Sequence, residues 1–129
     1  MVLLLIGAPS IAQTELPLTS RAITLVQEGD LTSARQFILD AATDPVESQN
    51  AYTWYVKGFI FKEIYKQIEK ANPYSENREV AIEAIRKSMA MDEAGTYRDN
   101  NTKAIEFLAT SYYNDAVRLS RSLNAANIN

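Results

Sequence analysis

Trp54-Tyr55-Val56-Lys57-Gly58-Phe59-Ile60-Phe61 is the stretch on which the fold turns. It shows none of the strict alternation of a half-buried strand. Wound as a helix, it sets Trp54, Gly58 and Phe61 about one turn apart along one side. A residue with no side chain between two large rings lets a second helix approach closely, while the rings fill the gaps to either side. Ala51 upstream and Tyr65 and Ile68 downstream keep the same face, so the helix should run to about Ala71. Asn72-Pro73 then ends it, because a residue before proline avoids the helical region.

Working outward, the same period recurs on both sides. Downstream, residues 74–77 form a polar loop. A further helix then carries Val80, Ala81, Ala84, Ile85, Ser88 and Met89 on its inner side, with Glu83 placed to pair Lys87 one turn on. Gly95 breaks it. A fifth helix is predicted from about Asp99 to Leu123, facing inward through Ile105, Leu108, Ala109, Tyr112, Ala116 and Leu119. Residues 124–129 are small and polar and should fray. Upstream, Asp44-Pro45-Val46-Glu47 reads as the start of the Trp54 helix, with Asp44 as cap, Pro45 in the first helical place and Glu47 reaching back as in a capping box. Before it, Leu31, Ala34, Phe37, Ile38 and Ala41 line a second helix, and Leu18, Ala22, Leu25 and Val26 a first. Gly29-Asp30 separates the two. The expectation is an all-α fold of about five helices, joined by short connections and stacked as antiparallel hairpins.

This order resembles the tetratricopeptide repeat, a helix pair with a period of ~34 residues. Trp54, Gly58 and Phe61 stand where the family's first helix has a large residue, a small one and an aromatic. Residues 81–92 resemble its second helix, with Ala81, Ile85 and Asp92 in place and Ser88 where alanine is usual. Ala34, Ile38, Ala41 and Asp44-Pro45 resemble an earlier second helix, with Ala22 and Leu25 in the first helix before it. Ile105, Leu108, Ala109 and Tyr112 resemble the start of a third unit. Three departures stand out. The chain between Phe61 and Ala81 exceeds the ~34-residue standard by roughly ten. The first unit lacks a large aromatic, and the third loses the pattern after Tyr113. The resemblance covers about residues 16–116 and implies a short right-handed solenoid, built like exported bacterial proteins of this type, that binds another protein.

Composition bounds the chemistry. The 129 residues carry a net charge of −3, with neither cysteine nor histidine. That removes thiol nucleophiles, disulfides, imidazole bases and the usual zinc ligands. The glycines at 7, 29, 58 and 95 are too scattered for a phosphate-binding loop. Glu79 with Glu83, and Asp92 with Glu93, read as solvated carboxylates. No basic stripe suits nucleic acid: Lys57, Lys62, Lys66 and Lys70 are interrupted by Glu63 and Glu69. No catalytic residue, metal or cofactor is therefore expected.

Residues 2–6 form an apolar run, broken at Gly7-Ala8-Pro9, and Ser10 and Ala12 suit a signal peptidase. The run is too short to span a bilayer, which takes ~20 residues. Residues 1–12 thus read as the remnant of an export signal, with residues 13–129 as the helical domain. The location implied is the periplasm or outside the cell, with no membrane insertion of the mature chain. Either the last helix caps the array, or the unfinished stripe from Tyr112 to Leu119 asks for a cover: a continuation past Asn129, or a second copy of the chain pairing through the end helix.

The candidate contact face lies beside the packing stripe of the Trp54 helix. Tyr52, Tyr55, Phe59 and Lys62 project there, and the neighbouring end helix brings Lys103, Glu106, Thr110, Tyr113 and Asn114 alongside. In the family that side lines the concave groove, and aromatics with a polar rim make binding hot spots. The first reading is therefore a protein- or peptide-binding scaffold whose site comprises Tyr52, Tyr55, Phe59, Lys62, Glu106, Thr110 and Tyr113. A second is a glycan- or small-ligand-binding module using exposed Tyr52, Tyr55 and Tyr74. A third is the first part of a larger enzyme.

Overall fold

A computed structural model describes residues 16–127. Residues 1–12, read as an export signal, lie outside the described residues. The protein is all-α: α1 (Leu18–Gln27), α2 (Leu31–Thr43), α3 (Ala51–Ile64), α4 (Glu76–Met91) and α5 (Arg98–Asn127), with no strand among the described residues. A 3-10 turn, Glu47–Gln49, leads into α3, and a turn of wider π geometry, Tyr65–Glu69, follows it. The helices alternate in direction. Ser88 in the last turn of α4 donates to the carbonyl of Ala51 at the start of α3 (3.0 Å). The Thr19 and Thr53 hydroxyls, in the first turns of α1 and α3, meet at 2.9 Å. Each helix packs on the next in sequence, and α3 also touches α1 and α5.

The core follows most of the stripes that the spacing predicts for α2, α3 and α4, but Ile68 and Met89, expected to face inward, are exposed. Ala22, Ala34, Ile38, Ala41, Val56, Ile60, Ala81 and Ile85 are wholly buried, and Phe61 and Ala84 nearly so. Gly58 is small for the expected reason: a Cβ there would stand 2.6 Å from Cγ1 of Ile85 and 3.4 Å from the carbonyl oxygen of Ala81. The α3–α4 hairpin can close to this distance only without a side chain at 58. Gly29 and Gly95 have positive φ (84° and 70°) and turn the chain after α1 and α4. Ser88 keeps the small size of an alanine but adds a hydroxyl, which also accepts from the buried Asn101 amide (3.0 Å) and so ties α5 to the α3–α4 pair.

Four expectations need correction. Glu47 does not close a capping box on the Trp54 helix; its carboxylate accepts from the Leu18 and Thr19 amides and caps α1. Asn50 caps α3, accepting from Tyr52 N–H. Trp54 is half-buried rather than core: its indole donates to the Ser48 carbonyl, and the Lys57 and Lys87 ammonium groups lie over the ring at 5.0 and 3.9 Å. The inward stripe of α5 is Asn101, Leu108, Ser111 and Asp115, leaving Ala109, Ala116 and Leu119 exposed. Finally, α5 runs through Asn127, past the predicted frayed end. No helix among the described residues is long and apolar enough to cross a membrane.

Candidate functional site

The start of α5 comes to lie beside the first half of α3, because α4 returns the chain to that end. This creates a cleft of about 240 Å³ between the two helices, lined by Tyr55, Phe59, Lys62, Asn100, Lys103 and Ala104, with Ile85 and Asn101 at its floor. Tyr55, Phe59 and Lys62 sit four and three residues apart, so one face of α3 supplies all three. The Lys62 ammonium spans the rings of Phe59 and Phe107 at 5.0 and 5.8 Å and pairs with Glu63 at 2.9 Å. Burial pushes the Glu63 carboxyl up, but hydrogen bonds from Lys62 and Gln67 outweigh it and hold it below the usual range. The Asn100 amide donates to the Tyr55 hydroxyl at 3.4 Å and closes one end of the cleft.

Tyr52 sits next to this cleft in a stack of three rings. Tyr55 stacks on Tyr97 with centroids 4.8 Å apart, and Tyr52 lies 5.7 Å from Tyr97 and 6.2 Å from Tyr55. Burial, with Tyr97 and Tyr55 adding to it, raises the Tyr52 phenol above its ordinary value. Tyr97 is absent from the residues singled out in the sequence. Its signal is positional: it follows the Gly95 turn, and in a hairpin array that turn lies level with the start of α3.

The remaining candidates separate. Thr110 lines a second cleft of about 310 Å³ with Tyr65, Lys70, Asn114, Asp115 and Arg118, below the π turn. Glu106 is exposed, and Tyr113 is 70 % exposed on the far side of α5; neither lines either cleft. The end helix thus brings Lys103 to the α3 aromatics, while Thr110 and Tyr113 point elsewhere. Under the second cleft Arg78 is fully buried. It donates to Asp115 (2.7 Å), Ser111 (3.1 Å) and the Pro73 carbonyl (2.6 Å), with Tyr65 and Tyr112 on its two sides. Neither Arg78 nor Asp115 was singled out in the sequence, where each looks like an ordinary helix-surface charge.

For chemistry the site offers aromatic faces, two ammonium groups and amides. Among the described residues no three carboxylates gather where they could hold a metal ion. Compared with family models, with curated proteins and with solved structures, the chain matches none.

Proposed function

We propose that this chain is a non-catalytic scaffold of tetratricopeptide-like build, acting in the bacterial envelope, and that it holds an extended segment of a protein partner in the α3–α5 cleft. The observation that carries the reading is the cleft's make-up: Tyr55 and Phe59 as apolar anchors, with Lys62, Lys103 and Asn100 around them. Aromatic anchors ringed by polar groups give both desolvated contact and orientation, which is how a few residues come to dominate a protein interface. The cleft is partly open to solvent, closed at one end by the Asn100–Tyr55 contact, so a chain segment enters from its open side. With Lys62 already paired to Glu63, it is the Lys103 ammonium that favours a segment with a carboxylate beside its apolar residue. The glycan reading is the weaker one, because of its three tyrosines Tyr52 and Tyr55 lie against each other and against Tyr97, which leaves Tyr74, 78 % exposed, as a lone platform.

The test is selection of displayed peptides against the chain, followed by titration of the selected peptides into a Tyr55→Ala, Phe59→Ala variant that keeps its helical circular dichroism. Loss of two anchors should weaken binding roughly a hundredfold. Equal affinity for both proteins would remove the cleft from the proposal. Selection of no peptide, together with binding of soluble oligosaccharides, would sink the protein-partner reading itself.

A further inference from the structure

Among the described residues, helix α5 runs on beyond the elements that pack against it. Its last residue packed inside is Asp115, and of residues 116–127 only Val117 is even partly covered. An isolated helix of that length is marginal in water. The exposed side is not a generic polar face. Ala109, Tyr112, Ala116, Leu119, Leu123 and Ala126 follow one another alternately three and four residues apart, with no polar residue among them. All six are exposed, Tyr112 by 37 %, Leu119 by 45 % and Leu123 by 65 %. A 3–4 apolar alternation is the spacing of a helix-on-helix seam, and apart from Tyr112, whose ring also lies against Arg78, it is distinct from the 101/108/111/115 stripe that α5 uses within its own fold.

We infer that α5 pairs antiparallel with α5 of a second copy of this chain, through that seam. The occupant is argued from the order of large and small residues. When the stripe is laid antiparallel on itself about Asn114, Ala109 meets Leu119, Tyr112 meets Ala116, and the half-buried Ile105 meets Leu123. Small stands against large in two of the three layers, and no charge enters any of them, so the stripe complements itself without a different sequence opposite it. The paired seam from Ile105 to Leu123 is ~27 Å long and, at a width of ~15 Å, covers ~400 Å² per copy, about half the ~800 Å² of a standard interface. Association in the micromolar range is the corresponding expectation.

Sedimentation equilibrium of the full chain over a micromolar concentration series should show the mass doubling. Leu119→Glu with Leu123→Glu should weaken association about a hundredfold or more, since two exposed leucines would no longer be covered. Both residues lie outside the packed stripe, so the variant keeps its fold, which the near-ultraviolet signal of Trp54 reports. The register has its own readout, because the chain has no native cysteine. Ala109→Cys and Leu119→Cys proteins should cross-link through a short bismaleimide when mixed, and neither should do so alone. A wild-type chain that stays monomeric throughout the series overturns the inference and leaves the stripe to a helix of another protein. So does a double-glutamate variant that associates like wild type, or a dimer that gives no cross-link in the mixture.

Discussion

Arg78 is the largest fully buried side chain among the described residues, and its partner Asp115 lies 37 positions away on another helix. No spacing rule for one helix reaches such a pair, which is why neither residue was singled out in the sequence. The small-residue positions were legible because Gly58, Ala34 and Ala81 act within the helix period itself. A buried ion pair contributes little net stability when intact, but losing one partner strands the other. Asp115 shows how the balance is kept. Burial raises its carboxyl, while hydrogen bonds from Arg118 and Arg78 and their charges outweigh it and hold it below the usual value. A depressed carboxyl stabilises the fold fully above the unfolded value of ~3.9 and loses that contribution as the pH falls through the folded value. Asp115→Asn is therefore expected to lower stability by about 2 kcal/mol at pH 7. Between pH 5 and pH 2 the gap to wild type should shrink, since only wild type loses this contribution. Urea midpoints of the two proteins across that range check it; a gap that stays constant with pH would show that the Asp115 charge is not what ties α5 to α4.

Glu47 shows the same limit at the scale of elements. Its chemistry was legible as that of a cap, and its neighbourhood was legible as a helix start. Which helix it caps was not, because α1 is 29 residues away and reaches Glu47 only once α1 and α3 lie side by side. The arrangement suits α1, a helix of 10 residues that begins after Pro17 with no acidic residue in its first turn and no side-chain cap of its own. The Glu47 carboxylate takes the Leu18 and Thr19 amides at 3.0 and 2.9 Å and places negative charge at the helix's positive end. Asp44, accepting from the Val46 and Glu47 amides at 2.8 Å, holds the turn that presents it. Glu47→Ala should cost about 1–2 kcal/mol, in the upper range of cap losses, because two donors are left in a partly covered place. The loss belongs to α1 in particular. Amide exchange at residues 18 and 19 should accelerate in the variant while residues 51–53 of α3, capped by Asn50, exchange as before. Acceleration at both helix starts would mean that Glu47 supports the whole end of the bundle.

Across the whole molecule, order along the chain is order in space, since each helix packs on its sequence neighbours and α3 is the one in contact with both α1 and α5. That much follows from helix periods and short links, and so the all-α class and helix count were legible. The facing of α5 was not, because it carries two stripes. One is apolar, through Tyr112 and Leu119; the other is half polar, through Asn101, Ser111 and Asp115, and it is the polar one that turns inward. Hydrophobicity alone favours the first stripe. The second prevails because buried groups elsewhere need partners: Ser88 and the two terminal nitrogens of Arg78 on α4 find them in Asn101, Ser111, Asp115 and the Pro73 carbonyl, while Nε of Arg78 stays unpaired. The apolar stripe is left to intermolecular use, which gives a prediction for the molecule as a whole. In dilute solution, amide protection should be greatest in α3 and α4, which share the tightest packing, and fall off along α5 beyond Asp115. At concentrations where two chains pair, residues 116–127 should gain protection while α1 and α2 stay as they were. Hydrogen exchange followed at two concentrations separates the outcomes. Protection of the α5 end that is already complete at the lower concentration would mean that its helix is held within a single chain, and the 3–4 spacing of its apolar residues would then need an intramolecular cause.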